Sequence, residues 1–380
     1  MQKIIDISNV NRILLIQTAF LGDVTLTLYL VEAIKQILPK TDIYFVTTPN
    51  ASSIAHLSES ITQVLEFDKR DAHKGLKGIN QISKQINKLD IDCTIAPHRS
   101  FRTSLLASKI KSPIKIGYNI NSNSILAYNY RVVYHPALHE VDRLLSLLEP
   151  FGLTFSNFHK EDIYPNLIFS DKDIITLQSI LNENDINIEL IDQNSSSLKL
   201  EHKNFSQNRK PIIAVAPGSV WKTKRWNAEY FSELISILQD KNCDPVLIGG
   251  KEDLEICNEI HNSTNCKSIA GITNLSQSIL FLKYANLTIT NDSAPTHFSD
   301  LVGTPVMTIF GPTSPIFGFA PFREKDIIIE NESLGCRPCK IHGSNYCPLK
   351  TLECMNSIIP EFVANKVLAK LNEMKNCESN

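Results

Sequence analysis

The 380-residue chain has 43% hydrophobic and 21% charged residues, a composition typical of a globular protein of two domains. Its formal net charge of −2 gives no overall positive field that would attract nucleic acid. No run of 18 apolar residues occurs, and polar and acidic residues interrupt the N-terminal segment, so neither a transmembrane helix nor a signal peptide is predicted. We expect a cytoplasmic monomer.

Short apolar runs alternate with amphipathic stretches along most of the chain, a rhythm that predicts parallel sheets covered by helices on both faces. In the first half this predicts strands over 12–17, 43–47 and 91–96, and helices over 24–38 and 101–111. In the second half it predicts strands over 212–216, 245–248, 287–290 and 306–310, with helices over 228–239 and from 296.

A polar tract over 182–210, rich in Asn, Ser, Asp, Gln and Lys, separates the two halves. We therefore predict an N-terminal Rossmann-like domain over 1–190, a polar linker or inserted loop over 191–210, a second Rossmann-like domain over 211–357, and a C-terminal helix and tail over 358–380. Because ligands bind outside the carboxyl ends of parallel strands, the loops at those ends are the candidate sites.

Two such loops lie in the first half. Thr18 to Asp23 follows the first strand, and Gly22 would allow a sharp turn or a close approach of the backbone to a ligand. Asp23 fits either a first-turn acid that stabilises a helix start or a general base. After the strand over 91–96, Arg99 and Arg102 fit either a solvated helix start or a site for an anionic acceptor.

The second half has two loops that suit an anion. Residues 217–226 combine three cations, including Lys224, with the hydroxyls of Ser219 and Thr223 and both tryptophans of the chain. This density of donors suits a diphosphate, and the alternative is a solvated loop anchored by a tryptophan.

The second of these loops, residues 290–297, joins a strand to a helix whose backbone N–H groups would form an anion site. The alternative is a capped helix with a packed histidine. Its candidate ligand-binding residues are Asp292, Ser293, Ala294 and His297.

Two further segments allow alternatives. Glu252 and Asp253 follow Gly249-Gly250 at a strand end, where acids either accept hydrogen bonds from ribose hydroxyls or simply begin a helix. The four cysteines near the C-terminus fit a structural metal, a redox pair or free thiols; they are Cys336, Cys339, Cys347 and Cys354. The cysteine cluster suggests no open coordination position with a nearby base, so it would not be a catalytic centre.

These motifs together resemble glycosyltransferase family 9, the ADP-heptose:lipopolysaccharide heptosyltransferases, and heptosyltransferase II-like members in particular. The resemblance covers residues 12 to about 360. It rests on the blocks ILLIQTAFLGDVTLTLYL, HEVDR, IAVAPGSVWKTKRWNAEYF, LIGGKED and LTITNDSAPTHFSDLVGTPVMTIFGPT.

The resemblance implies a GT-B fold, with two Rossmann-like domains facing each other across a cleft, and inverting sugar transfer without a required catalytic metal or other cofactor. It implies that Asp23 is the catalytic base and that Lys224 contacts the donor phosphates and stabilises the leaving group. The implied donor-binding residues are Gly22, Ser219, Lys224, Glu252, Asp253, Asp292, Ser293, Ala294 and His297. The acceptor-binding residues that we predict, from the two loops of the first half, are Thr18, Arg99 and Arg102.

The implied donor is ADP-heptose, and the implied acceptor is the lipid A–core of lipopolysaccharide, with peripheral contact at the cytoplasmic face of the inner membrane. Phe20 and Leu21 are bulkier than the residues that some family members carry before Gly-Asp, which leaves the acceptor open. Another nucleotide sugar on the same fold, a non-catalytic protein that binds a nucleotide diphosphate, and a redox or zinc protein remain as alternatives.

Overall fold

The computed structural model describes residues 4–120, 122–190, 209–323 and 326–378. The chain divides into two compact units, Met1–Ile168 and Phe169–Asn380, each built on one sheet of parallel strands. The linker or insertion predicted over 191–210 lies almost entirely outside the described residues. No helix among the described segments is long and apolar enough to cross a bilayer.

The first unit consists of six strands and the helices that connect them. Its central strands are buried along almost their whole length, as expected for a sheet covered on both faces. The strands are β1 (Arg12–Ile16), β2 (Asp42–Thr47), β3 (Gln63–Glu66), β4 (Cys93–Ala96), β5 (Ile114–Tyr118) and β6 (Tyr130–Val132). The helices are α1 (Leu21–Ile37), α2 (Pro49–His56), α3 (Gly75–Ile86), α4 (Phe101–Lys109), α5 (Ser122–Ala127) and α6 (Glu140–Ser146).

The second unit repeats this plan. Its strands are β7 (Ile212–Ala216), β8 (Asp244–Leu247), β9 (Lys267–Ser268), β10 (Leu287–Asn291), β11 (Val306–Phe310) and β12 (Ile327–Glu330). Its helices are α7 (Asp171–Glu183), α8 (Ala228–Asp240), α9 (Leu254–Thr264), α10 (Leu275–Tyr284), α11 (Ala294–Leu301), α12 (Glu353–Asn356) and α13 (Pro360–Glu378). The C-terminal helix α13 buries Val363 and Val367 in a core that also contains Trp226 and Phe231.

The two sheets have the same topology. The strand order is β3-β2-β1-β4-β5-β6 in the first unit, and β9-β8-β7-β10-β11-β12 in the second. In both sheets the second and third strands lie on one side of the first strand, and the fourth, fifth and sixth strands lie on its other side. The switch point lies between the first and the fourth strand. Ligands bind at such a switch point in doubly wound sheets, so β1 with β4, and β7 with β10, mark the two places where a site is expected.

The predicted strands and helices all occur in the predicted order, with small differences at helix starts, but the sheets contain five further strands that were not predicted: β3, β5, β6, β9 and β12. Helix α1 begins at Leu21 rather than at residue 24, because Asp23 reaches back to accept a hydrogen bond from the Phe20 N–H (3.2 Å). Helix α11 begins at Ala294 rather than at residue 296, with Pro295 in its first turn, where the missing N–H costs nothing.

The division between the units falls at Ile168, before the domain end predicted at residue 190. The difference arises because α7 packs in the second unit. Asp173 accepts hydrogen bonds from Asn274 Nδ2 (2.9 Å) and Ser276 Oγ (3.0 Å) at the start of α10. Lys283 of α10 lies over the ring of Phe169, with Nζ 5.9 Å from the ring centroid.

Candidate functional site

Asp23 lies in the first turn of α1, directly after β1, and is half-buried. Its carboxylate caps the helix start through the Phe20 N–H, and its own carbonyl oxygen accepts a hydrogen bond from Thr27 Oγ1 (2.7 Å). Gly22 lies in the same turn. The capping role and the role of a base are compatible, because a carboxylate oxygen that accepts one N–H keeps further lone pairs for a substrate proton.

A buried ion pair whose burial no sequence motif indicated lies near Asp23. Glu140 at the start of α6 accepts a hydrogen bond from Arg143 Nε (2.7 Å), and Arg143 also donates to the Pro136 carbonyl (3.0 Å). Burial raises the pKa of Glu140 to about 7, an increase that Arg143 opposes and that the charge of Asp23 reinforces. The HEVDR block contains both residues, but no local pattern in it signals their burial.

Aromatic rings hold the arginines of this region in place. The Arg99 guanidinium lies 3.9 Å from the centroid of the Tyr134 ring, and that of Arg143 lies 5.3 Å from it. Tyr118 packs edge-on against Tyr134 and donates a hydrogen bond to the Arg143 carbonyl oxygen (2.7 Å). A guanidinium stacked on an aromatic face keeps its N–H edge available to an anion.

Thr18 is buried at the end of β1, and its side chain bonds to the loop after β4. Its Oγ1 lies 2.9 Å from His98 Nδ1, and its carbonyl oxygen accepts a hydrogen bond from Lys69 Nζ (2.6 Å). Burial, helped by Lys69 and Arg99, lowers the pKa of His98 to about 4, which makes this histidine neutral at physiological pH. The structure thus uses Thr18 to join the two predicted loops.

Lys69 is a third cation at this edge of the sheet that the sequence did not suggest. It follows β3, and burial together with the charges of Arg102 and Arg70 lowers its pKa. Arg102 Nη1 donates to the Lys69 carbonyl (3.4 Å). A lysine whose pKa is lowered by neighbouring cations lies where positive charge is concentrated, and such a place favours an anion.

In the second unit, the switch point is occupied by an ion pair between the two predicted anion loops. Lys224, after β7, places Nζ 2.7 Å from Asp292 Oδ2, after β10, and each side chain is 12% exposed. Thr313 Oγ1 donates to the same carboxylate oxygen (2.6 Å). Because a lysine ammonium has three donors, one bond to Asp292 leaves capacity for a phosphate.

Asn291, the last residue of β10, fixes the geometry of the Lys224 loop. Its side-chain oxygen accepts a hydrogen bond from the Trp226 N–H (3.0 Å), and its side-chain nitrogen donates to the Pro217 carbonyl (2.8 Å). Trp226 is fully buried and donates from Nε1 to the Ile358 carbonyl (2.9 Å). Trp226 therefore anchors this loop, as expected for the alternative of a loop held by a tryptophan. The anchoring nevertheless leaves Lys224 at the edge of the sheet.

The helix that follows β10 carries the remaining predicted donor residues. Ser293 precedes the first turn of α11, with Oγ 3.2 Å from Thr290 Oγ1, and Ala294 begins the helix. His297 is buried one turn along the same helix. Ser219 is buried in the loop after β7, where its carbonyl oxygen accepts a hydrogen bond from Arg225 Nε (2.7 Å).

Asp253 lies closer to the Lys224 loop than its place in the sequence suggests. Its carboxylate accepts a hydrogen bond from the Gly250 N–H (3.0 Å) and packs directly against Gly218, where a Cβ would lie 2.0 Å from Oδ1. Burial and the neighbouring Glu252 raise the pKa of Asp253, whereas Arg225 lowers it. Glu252 itself is exposed to solvent.

The segment between β12 and α12 covers the Lys224 loop, a role that no sequence motif indicated. The Thr223 N–H and Oγ1 both donate to the Ser344 carbonyl (3.0 and 2.7 Å), and the Ser344 N–H donates back to Thr223 Oγ1 (3.0 Å). Gly343 has a positive φ of 83°, and a Cβ there would lie 2.9 Å from two carbons of the Lys224 side chain.

The same segment contains the C-terminal cysteines. Cys336 and Cys339 are exposed, Cys354 is buried in the core of the second unit, and all four thiols of the set are free. Backbone N–H groups of the turn after Cys347 lower the pKa of its thiol. Across the described residues, no three His, Cys, Asp or Glu side chains are arranged to hold a metal ion.

The family model described as glycosyltransferase family 9 (heptosyltransferase) matches residues 79–349. The chain belongs to this family. Over 176 residues the chain is 29% identical to lipooligosaccharide heptosyltransferase 2 of Campylobacter jejuni. This match covers 45% of this chain and 54% of that protein. The matches thus span about half the length of the first curated relatives. The lipopolysaccharide core heptosyltransferase OpsX of Haemophilus influenzae is 23% identical over 83% of both chains.

Solved structures extend the likeness to the whole chain. A glycosyltransferase family 9 protein from Veillonella parvula matches with a TM-score of 0.80 and 21% identity, covering 98% of this chain and all of the other. Escherichia coli ADP-heptose LPS heptosyltransferase II matches with a TM-score of 0.72 and 20% identity, covering 97% of this chain and all of the other. The predicted α/β GT-B fold of the heptosyltransferases is confirmed.

Proposed function

We propose that the protein is an inverting heptosyltransferase that moves a heptose from ADP-heptose to the inner core of lipopolysaccharide. The family membership supports the class of reaction, and E. coli heptosyltransferase WaaC, of the same fold, has been solved with ADP and with ADP-2-deoxy-2-fluoro heptose. The single observation that carries the proposal for this chain is the Lys224–Asp292 pair at the switch point of the second sheet.

The donor diphosphate would bind at this pair. Lys224 supplies the positive charge, and Asp292 with Thr313 holds its ammonium at the sheet edge. Ser219, Ser293, Ala294 and His297 surround the same strand ends with hydroxyls, an imidazole and the start of a helix, whose dipole favours an anion. Asp292 in this arrangement acts through Lys224, because its own charge would repel a phosphate.

The nucleoside would extend towards Asp253. A partly buried carboxylate next to glycines suits hydrogen bonds from ribose hydroxyls, as in other doubly wound nucleotide sites. Glu252 adds a second acid from the exposed side of the same turn.

The chemical step would be a displacement at the anomeric carbon. The acceptor hydroxyl oxygen attacks that carbon as Asp23 removes the hydroxyl proton, and the bond from the carbon to the phosphate oxygen breaks, releasing ADP. Lys224 and the start of α11 stabilise the charge that develops on the leaving phosphate, a contribution of about 10²–10³ in rate for one such group. No step requires a metal or another cofactor.

The acceptor would be held by cations of the first unit. Arg99, stacked on Tyr134, and Arg102, next to Lys69, present positive charge beside Thr18 and suit the anionic groups of a lipid A–core acceptor.

Calorimetry with ADP, UDP and GDP, followed by a transfer assay with ADP-heptose and a heptose-deficient lipid A–core acceptor in the presence of a chelator, tests the proposal. We expect ADP to bind more tightly than the other two nucleotides, and heptose to be transferred with the chelator present. A preference for UDP or GDP would indicate another nucleotide sugar. Binding of ADP with no transfer to any acceptor would indicate a non-catalytic nucleotide-binding protein, and loss of transfer with the chelator would contradict the metal-independent mechanism.

A further inference from the structure

A cleft with a mostly uncharged polar lining lies between α4 and α5 in the first unit. The carboxyl ends of β4 and β5 border it at Ala96 and Tyr118, and its volume is about 220 Å³, open to solvent. Among the described residues that line it, Arg99 alone is charged at neutral pH, because burial lowers the pKa of His98 to about 4. We call it the α4–α5 cleft.

Two tyrosine side chains line the α4–α5 cleft, and a glycine makes room for one of them. Tyr128, which follows α5, packs its ring against Gly117, where a Cβ would lie 2.5 Å from ring carbon Cε2. The Tyr128 Oη lies 3.3 Å from Ser104 Oγ on α4, and the Tyr118 hydroxyl donates to the Arg143 carbonyl (2.7 Å). A phenol oxygen in such a bond keeps a lone pair that a ligand hydroxyl can use.

His98 brings an imidazole nitrogen to the α4–α5 cleft. Its Nδ1 lies 2.9 Å from Thr18 Oγ1 and 3.2 Å from Thr103 Oγ1. Its Nε2, on the opposite side of the ring, has no hydrogen-bond partner among the described residues and is accessible to solvent. Because the imidazole is neutral, this nitrogen either donates or accepts a hydrogen bond, according to the tautomer, and a sugar hydroxyl can match either.

The α4–α5 cleft lies beside the proposed base. Thr18, which bonds to His98, precedes Asp23 by only five residues. The Arg99 guanidinium lies 3.9 Å from the centroid of the Tyr134 ring. Burial raises the pKa of Tyr134, and the charge of Asp23 adds to this increase, so the tyrosine lies within electrostatic reach of the base. A ligand that presents a hydroxyl to Asp23 would therefore have its next group near the cleft.

We propose that the α4–α5 cleft binds a non-reacting sugar ring of the acceptor, next to the ring whose hydroxyl loses its proton to Asp23. Hydroxyls and a neutral imidazole suit sugar hydroxyls, and tyrosine rings offer apolar faces to the C–H groups of a sugar. A phosphate group would leave charge uncompensated against a single cation. The proposal rests on the proposed function, since it takes the acceptor to be a saccharide.

NMR titration of the full-length protein with a deacylated, heptose-deficient lipid A–core oligosaccharide tests this subsite. His98→Asn places an amide near the position of Nδ1, keeps the bond to Thr18 and leaves the position of Nε2 empty, whereas His98→Gln reaches the position of Nε2. We expect His98→Asn to weaken binding roughly three- to tenfold, as for the loss of one hydrogen bond, and His98→Gln to stay within about twofold. A purely structural role of His98 predicts the reverse order.

Tyr128→Phe is the second variant, because it removes a hydroxyl and keeps the ring against Gly117. Its oligosaccharide affinity should also fall roughly three- to tenfold. In the transfer assay, both His98→Asn and Tyr128→Phe should raise KM for the oligosaccharide by these factors and leave kcat within about twofold. With a methyl glycoside of the reacting sugar alone, which does not extend into the cleft, the loss in kcat/KM should be absent.

Matched controls come from the same unit. His56→Asn replaces a histidine of α2 whose Nδ1 lies 2.8 Å from the Ser52 carbonyl oxygen, and Tyr44→Phe alters a tyrosine that packs on the same core as Tyr128. Neither residue lines the cleft, and both variants should bind the oligosaccharide like the wild type. Oligosaccharide binding without transfer from ADP-heptose would contradict the proposed function and leave the subsite standing.

Oligosaccharide affinity at the wild-type level in both His98→Asn and Tyr128→Phe would overturn the proposal, as would absence of binding to the wild type. A larger loss in His98→Gln than in His98→Asn would give His98 a structural role instead. Equal losses with the methyl glycoside would place the effect at the reacting sugar. A loss confined to Arg99→Gln would show that the cleft holds an anionic group and would likewise reject the sugar ring.

Discussion

The two units have the same sheet topology, and each has its candidate residues at the switch point of its own sheet. The positions of the acid and the cation at these two switch points are exchanged. In the first unit the first strand leads to an acid, Asp23, and the loop after the fourth strand supplies a cation, Arg99. In the second unit the loop after the first strand supplies a cation, Lys224, and the fourth strand leads to an acid, Asp292. The topology therefore fixes where a ligand binds and leaves its chemistry to a few side chains.

The ion pairs show a further difference between the units. The pair in the first unit, Glu140–Arg143, lies within one helix, and burial raises the pKa of its acid to about 7. The pair in the second unit, Lys224–Asp292, joins two loops, with Thr313 as a third partner. The first arrangement suits proton transfer and the second suits binding of an anion, so variants of each should fail in different ways.

Asp23→Asn should give the largest effect and separate the two units most clearly. Without the base, turnover should fall by about 10²–10⁴, while the helix cap survives because the amide oxygen still accepts the Phe20 N–H. ADP affinity, which we assign to the second unit, should change less than about twofold. Initial rates of ADP release and calorimetric titration check the two halves of this prediction. Turnover at the level of the wild type would remove Asp23 from the chemistry.

Lys224→Ala should weaken ADP binding by about 10²-fold, because it removes a charge-assisted hydrogen bond to the diphosphate. It should also lower the free energy of unfolding by about 3 kcal/mol, since Asp292 is left almost buried without its counter-charge. Lys224→Ala/Asp292→Asn should recover part of that stability while ADP binding stays weak. Denaturant unfolding and calorimetry measure both quantities.

The exposed Lys222 in the same loop supplies the control, and Lys222→Ala should stay within about twofold of the wild type in ADP affinity. Equal losses from the two lysines would mean that the loop attracts the nucleotide by charge alone. The Lys224–Asp292 geometry would then have no special part in donor binding.

The sequence predicted the seven strands whose apolar runs are distinctive by themselves, and it missed β3, β5, β6, β9 and β12 at the outer parts of the two sheets. Five consecutive apolar or β-branched residues predicted strands over 212–216 and 306–310, and the structure has β7 and β11 with those bounds. The loops at the strand ends were also recognisable, since Gly, Pro and charged residues follow each buried run. Neither inference needed a contact between distant residues.

Contacts between residues far apart in the sequence could not be predicted, because no local pattern indicates them. The predicted anion loops contained both Lys224 and Asp292, but only the sheet order brings β7 beside β10 and makes them partners. Ser344 offered no signal at all, because its role depends on a fold of the chain that returns it to Thr223. The HEVDR block that contains Glu140 and Arg143 was recognisable in the sequence. The burial of these two side chains was not, because it depends on packing around α6.

Glu140→Gln should change the pH dependence of turnover. In the wild type Glu140 loses its proton near pH 7, and its charge then makes Asp23 a stronger base, so turnover should rise through this range. The variant stays neutral and should equal the wild type below pH 6, whereas above pH 8 it should be roughly three- to tenfold slower. Profiles of kcat against pH decide the point, and identical shapes would exclude coupling between the two acids.

The raised pKa of Glu140 also predicts how the free energy of unfolding changes with pH. Its native pKa lies above the ordinary value of 4.5, so between these values the native state binds more protons than the unfolded state. The free energy of unfolding should therefore fall by about 3 kcal/mol as pH rises from 4.5 to 7. In Glu140→Gln this part of the pH dependence should be absent. A profile unchanged from the wild type would place the titration elsewhere in the chain.

Gly343→Ala should give the smallest effect and tests whether the covering segment supports the second unit's site. The new Cβ would contact Lys224 at 2.9 Å and force a left-handed backbone on a residue that disfavours it. The strain should cost about 1–2 kcal/mol of stability, and displacement of Lys224 should weaken ADP binding roughly threefold to tenfold. Gly335→Ala is the matched control, because a Cβ at that glycine has no atom within 4 Å. Because Lys224 is also proposed to stabilise the leaving phosphate, kcat at saturating donor should fall together with ADP affinity. A variant that weakened ADP binding and kept kcat at the wild-type value would show that Lys224 binds the donor without stabilising the leaving group.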